Sequence, residues 1–145
     1  MNLSSAELSS RLVSDLRLGL PIILKNDRQN SIVLAIETLQ EKRFSEIMNI
    51  SEDNIEIAIT NRRAEVLKAR IYNEKVTRLR IRKNVSIDFL QATADPAKDL
   101  DYPYKGPFNS IREDDSILAE IAIDLCKKAR LLPAALLETI SKEIK

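Results

Sequence analysis

Leu8, Leu12, Val13 and Leu16 repeat at helical spacing directly after Ser4-Ser5-Ala6-Glu7, a capping box in which Ser4 and Glu7 satisfy each other's free backbone donors. Gly19 and then Pro21 forbid continuation, so the spacing predicts a helix over 5–18. Pro21 to Leu24 reads as a short strand, Lys25 to Asn30 as a polar turn, and Ser31 to Glu37 as a second strand. The near-continuous apolar run SIVLAIE implies a central strand covered on both faces. Thr38 and Glu41 suggest another capping box, opening a helix with Phe44, Ile47 and Met48 on one face that stops before Ser51. Ile55, Ile57 and Ile59 alternate with Glu56 and Ala58, a strand over 54–60. Thr60 or Asn61 then caps a short basic helix to about Ala69.

Thr77, Leu79 and Ile81 alternate with Arg78, Arg80 and Arg82, which predicts one more strand with a cationic face. Ser86 to Ala94 fits either a strand or a helix capped by Ser86; the shared face of Ile87, Leu90 and Ala94 favours the helix. Asp95 to Phe108 holds three of the chain's five prolines and reads as a rigid loop. From Ser116, Leu118, Ile121, Ala122, Leu125, Ala129 and Leu132 form an apolar stripe, and Pro133 is expected to break that helix. Ala134 to Ile140 is a short apolar run suited to a buried strand. Together these elements predict one α/β domain over 1–145, a mixed β-sheet with helices packed on its faces.

With 145 residues, 44% of them hydrophobic and 31% charged, the chain has the size and composition of one globular domain. Its 23 basic and 22 acidic residues create no global field for nucleic acid or an anionic membrane. No run approaches the ~18 apolar residues of a membrane span, and the start MNLSSAELSS lacks a basic-then-apolar leader, so a cytoplasmic location is expected. Histidine is absent, which removes the commonest general base and metal ligand. The single Cys126 excludes a zinc site built from this chain.

The remaining candidate chemistry is sparse. Arg78, Arg80 and Arg82 form a possible anion- or RNA-binding strip, although no aromatic residue is interleaved for base stacking and a solvated or edge-protecting face is the favoured reading. Arg62, Arg63, Lys68 and Arg70 suggest an anion site at a helix start, with a plain helix surface favoured. Glu113-Asp114-Asp115 suit a helix N-terminus better than a cation site. Cys126 lies beside Lys127 and Lys128, yet reads as a packing residue. Tyr102, Tyr104 and Phe108 either pack the Pro-rich loop or present a partner surface.

Arg11 to Leu39, with Arg17-Leu18-Gly19, a loop through Asp27 and Ala35-Ile36-Glu37, resembles the start of 3,4-dihydroxy-2-butanone 4-phosphate synthase. Glu120 to Ile140, with Asp124-Leu125 and Pro133-Ala134, is similar to that family's last helix and strand. Closer still is the degenerate version of the domain that precedes the catalytic half of a long bacterial GTP cyclohydrolase II. Ala94-Asp95-Pro96, Lys105-Gly106-Pro107-Phe108 and the run Ala129 to Leu136 carry that second likeness.

The resemblance implies a vestigial site. The family's Arg-Glu-x-Glu-Gly-Asp loop, whose carboxylates bind magnesium, matches Asn26 to Ser31 and keeps only Asp27; Glu37 stands in the Ala-x-Glu step. The metal-ligating His falls on Leu118, next to Ala119 and Glu120, and a late-strand glutamate falls on Thr139, or on Glu138 with a one-residue shift. No catalytic residue is therefore expected, and no cofactor in this chain; magnesium belongs to intact synthases and zinc to the cyclohydrolase half. The expected role is a structural or dimerising N-terminal module of a riboflavin-pathway GTP cyclohydrolase II, forming a homodimer and partnering that catalytic domain. The alternatives are residual ribulose 5-phosphate lyase-type chemistry and a small anion- or RNA-binding module.

Overall fold

The structure, a computed structural model, describes residues 4–50, 55–82, 85–103, 106, 108–112 and 115–141. Helix α1 (Ser5–Arg17) begins as its capping box dictates: Ser4 Oγ accepts from Glu7 N at 3.2 Å and donates to the Glu7 carboxylate at 3.0 Å. Its end is closed by Gly19 at φ +76, where an added Cβ would lie 2.7 Å from Thr38 O. Only glycine meets both conditions. Strands β1 (Ile22–Lys25) and β2 (Gln29–Ala35) form a hairpin. The Asn26 side chain organises its turn by accepting from Arg28 N and Gln29 N, an Asx arrangement.

Helix α2 (Glu41–Ile50) does not use Thr38 as its cap. Thr38 Oγ1 instead donates to Leu16 O at 2.6 Å, binding the turn after β2 to the end of α1. Strand β3 (Ile55–Thr60) leads straight into α3 (Asn61–Leu67), with Thr60 Oγ1 accepting from Arg63 N. Strand β4 (Val76–Arg80) is followed by α4 (Ile87–Ala94), which Ser86 caps as a helix requires, and by one 3-10 turn at Pro96–Lys98. Helix α5 (Ile117–Lys128) and strand β5 (Ala134–Ser141) complete the fold. Pro133 does not end α5. The helix stops five residues earlier, where Arg130 turns left-handed at φ 60 and Leu131 N returns to Cys126 O. The buried arc of α5 also differs from the expected stripe: Ile123 and Cys126 lie inside, whereas Ile121 faces out.

The strands form one sheet in the order β1-β2-β5-β3-β4, and each described pairing is antiparallel, which refines the mixed sheet expected. Strand β2 is interior, as its apolar run implied, but the last strand, β5, holds the centre. Strand alternation splits the side chains into two cores. Leu34, Leu136 and Ile57 sit side by side on one face, beneath Phe44 and Ile47 of α2, Ala64 of α3 and Leu90 of α4. The other face carries the row Ala35, Ala135 and Ala58, covered by α1 and α5. Small side chains there match the alanines of α5, Ala119 and Ala122. This is an α/β three-layer arrangement with helices on both faces of the sheet. Among the described residues no helix is long and apolar enough to cross a membrane.

Candidate functional site

The six positions marked by resemblance are distributed by the fold rather than gathered. Asp27 is exposed at the tip of the β1–β2 turn. Glu37 follows the opposite end of β2, a strand whose seven residues span roughly 20 Å, and its Oε1 accepts from Leu132 N at 3.3 Å. Leu118 is 3% exposed in the core under α5. Glu120 is half-buried, accepts from Ser116 Oγ at 3.4 Å and lies 3.8 Å from Lys75 Nζ.

Glu138 and Thr139 are neighbours in β5 and therefore face opposite sides of the sheet. The Thr139 hydroxyl shares a 2.7 Å hydrogen bond with Ser31 Oγ on the α5 side. Glu138 lies on the α2–α4 side, opposite Ile32 and Ile55 in register, and is only 6% exposed. Burial pushes its carboxyl pKa up, and its Oε2 has no hydrogen-bond partner among the described residues. A magnesium ion requires several oxygens converging on one point. As placed, Asp27, Glu37, Glu120 and Glu138 do not fit it, and no group of three or more potential ligands is gathered among the described residues.

The arginine strip is also divided. Arg78 is 5% exposed and sits with Nη1 3.4–3.5 Å from the Glu56 carboxylate, on the face that α5 covers. It is a core ion pair, which corrects the expectation of a continuous cationic face. Arg80 and Arg82 are exposed. Both positions border a hollow of about 540 Å³ bounded by β4, α4, Gly106, Phe108 and Asn109, although Arg80, opposite Glu56 in register, turns its side chain to the α5 face. Chain segment 109–111 seals the outer edge of β4, through Arg80 N to Asn109 O and Ile111 N to Arg78 O.

Behind this hollow lies a clamp that the residue pattern did not disclose. Arg63 was expected on a helix surface, but it is 8% exposed. Its guanidinium forms a bidentate pair with Asp99 at 2.7 and 2.8 Å and donates to Thr93 O and Ala92 O at the end of α4. One side chain from α3 thus closes α4 and fixes the start of the Pro-rich segment. The available signal was positional: Arg63 adjoins the buried Ala64, one turn after the Thr60 cap. Phe108 settles the question left open for the loop aromatics by packing against Phe89, with ring centroids 6.3 Å apart. Tyr102 is exposed, while Tyr104 and the acidic pair Glu113 and Asp114 lie outside the described residues. Cys126 is fully buried and its thiol is pushed up to about 12, chiefly by desolvation, as a packing cysteine should be.

No family model matches this sequence, and no curated protein matches it. Solved structures do match. RibBX, a two domain 3,4-dihydroxy-2-butanone 4-phosphate synthase from A. baumannii, aligns with a TM-score of 0.66 at 16% identity. That alignment covers 93% of this chain but 48% of RibBX, so the chain spans about half the length of that protein. A Candida albicans 3,4-dihydroxy-2-butanone 4-phosphate synthase aligns with a TM-score of 0.60 at 14% identity, over 88% of this chain and 76% of its own. A cation free form of the same synthase type aligns at 0.66 and 14%, over 99% and 80%. The chain has the 3,4-dihydroxy-2-butanone 4-phosphate synthase-like fold. At such identity the likeness carries the architecture alone, and the synthase-like fold must be read for chemistry through its own side chains.

Proposed function

We propose that this chain is a catalytically degenerate synthase-like domain that serves riboflavin biosynthesis as a structural or dimerising module beside a GTP cyclohydrolase II catalytic domain, in the cytoplasm. The observation that carries the reading is Leu118. The resemblance puts a metal-ligating His there, and the side chain is an apolar core residue, 3% exposed. The dispersal of Asp27, Glu37 and Glu138 over two ends of the sheet supports the same reading. Enolisation of a sugar phosphate needs acids and bases held within hydrogen-bond reach of one substrate.

The test is turnover of ribulose 5-phosphate with magnesium by the folded protein, followed as formate release. No release above background is expected. Magnesium-dependent release would overturn the degenerate reading in favour of residual lyase-type chemistry. The module half is tested by light scattering of the protein alone and mixed with a purified GTP cyclohydrolase II. A dimer or a stable mixed complex is expected, and a monomer in both samples would overturn it.

A further inference from the structure

The hollow beside β4 has no part in the reading above and lies at the far edge of the sheet from the Asp27 turn. Its volume of about 540 Å³ falls within the roughly 300–1,000 Å³ of small-molecule sites. Leu79, Ile81, Val85, Phe89 and Phe108 make its wall apolar, with the two phenyl rings tilted by 33°. The hydroxyls at the wall are committed internally. Ser86 Oγ accepts from Phe89 N, and Thr93 Oγ1 donates to Phe89 O.

Among the polar groups that remain for a ligand, which include the Asn109 amide, the charged one is cationic. Arg82 belongs to the lining, and its side chain has no hydrogen-bond or ion-pair partner among the described residues; Arg80, opposite Glu56 in register, sends its side chain to the α5 face instead. No Asp or Glu joins the lining among the described residues. The geometry points to a binding site for a small anionic amphiphile, its apolar or aromatic body seated against Phe89 and Phe108 and its acidic group paired by Arg82. Guanidinium groups suit this role because they stay charged and offer planar donor pairs to carboxylate or phosphate. The site does not depend on whether synthase activity is lost.

The experiment titrates the full chain with two fluorescent probes of similar body: the anionic anilinonaphthalene sulfonate and the neutral phenylnaphthylamine. Saturable binding of the anion is expected, weakening as salt rises, with the neutral probe bound more weakly. Arg82→Gln should weaken the anion about three- to fivefold, the worth of one exposed charge pair, while leaving the neutral probe unchanged, and Arg80→Gln, on the other face of the sheet, should change the binding of both probes little. Retained neutral-probe binding also shows that the variants keep the hollow. Amide resonances perturbed by the anion should cluster in 79–93 and 106–109. Absence of binding, equal affinity for both probes, indifference to Arg82→Gln, or shifts confined to other residues would each overturn the proposal.

Discussion

Two regions of this sheet use their charges in opposite ways. At the β4–α4 side, the buried cation Arg63 is held by a carboxylate and two helix carbonyls at 2.7–3.1 Å, and the exposed Arg82 is left to face a hollow. Along β2 and β5, polar groups stand at the positions the resemblance marks, yet each is occupied elsewhere or alone: Thr139 with Ser31, Glu37 with Leu132 N, Glu138 buried opposite Ile32 and Ile55. Neighbouring residues on a strand cannot converge, because alternation sends them to opposite faces. A site needs residues two apart, or partners across strands. The first region has a geometry that holds something together, whereas the second retains residue types without the geometry.

The sharpest way to break this contrast is Arg63→Ala. Removing the cation of a largely buried pair should cost about 3 kcal/mol or more in urea denaturation, with α4 and the Pro-rich segment losing amide-exchange protection first. A cost no larger than that of a surface substitution would mean that the clamp does not hold this region. Leu118→His tests the other end. It should destabilise by about 2 kcal/mol, the cost of a polar group in an apolar core, and added magnesium or zinc should leave the thermal midpoint unmoved. A metal-dependent rise would reveal a donor set still able to converge.

Glu138→Gln sharpens the contrast with a smaller effect. Burial penalises the charged carboxylate, so Glu138 keeps its proton in the folded chain to higher pH than its ordinary value of 4.5. Over that window the unfolded chain binds fewer protons, and this residue's contribution to stability falls as pH rises above 4.5. Urea midpoints measured across a pH series should therefore decline less steeply for the glutamine variant than for the native chain. Identical slopes would show that Glu138 is solvated in solution and that the two regions differ less than described.

The local grammar of the chain was legible where one residue controls one backbone event. Ser4, Thr60 and Ser86 cap the helices they precede, and Gly19 closes α1, because capping is decided within four residues. It was misleading where a distant partner competes. Thr38 has the right type and spacing for a cap, but Leu16 O takes its hydroxyl. Arg130 adopts a left-handed conformation that residue preference disfavours, so the end of α5 was placed at the proline instead. Arg63 and Arg78 looked like surface charges because their carboxylates, Asp99 and Glu56, lie 36 and 22 residues away. Pair distances of that kind are set by topology, and strand order is invisible to periodicity. The resemblance supplied the fold and the candidate positions, but not which face each would occupy.

The place of β5 has a consequence for how the chain is made. Ala135 pairs with Ala35 and with Ala58, so the middle of the sheet joins residues about a hundred positions apart. During synthesis the β1–β2 hairpin and the β3–α3–β4 unit emerge first, each with one inner edge open and one apolar face uncovered. Neither core can close until residues 134–141 leave the ribosome. Open strand edges are templates for wrong pairing, and contacts of such long range slow folding. The nascent chain thus passes through an interval in which its other four strands exist while β2 and β3 still lack the neighbour that will join them, the interval in which a chaperone or a second nascent copy would meet it.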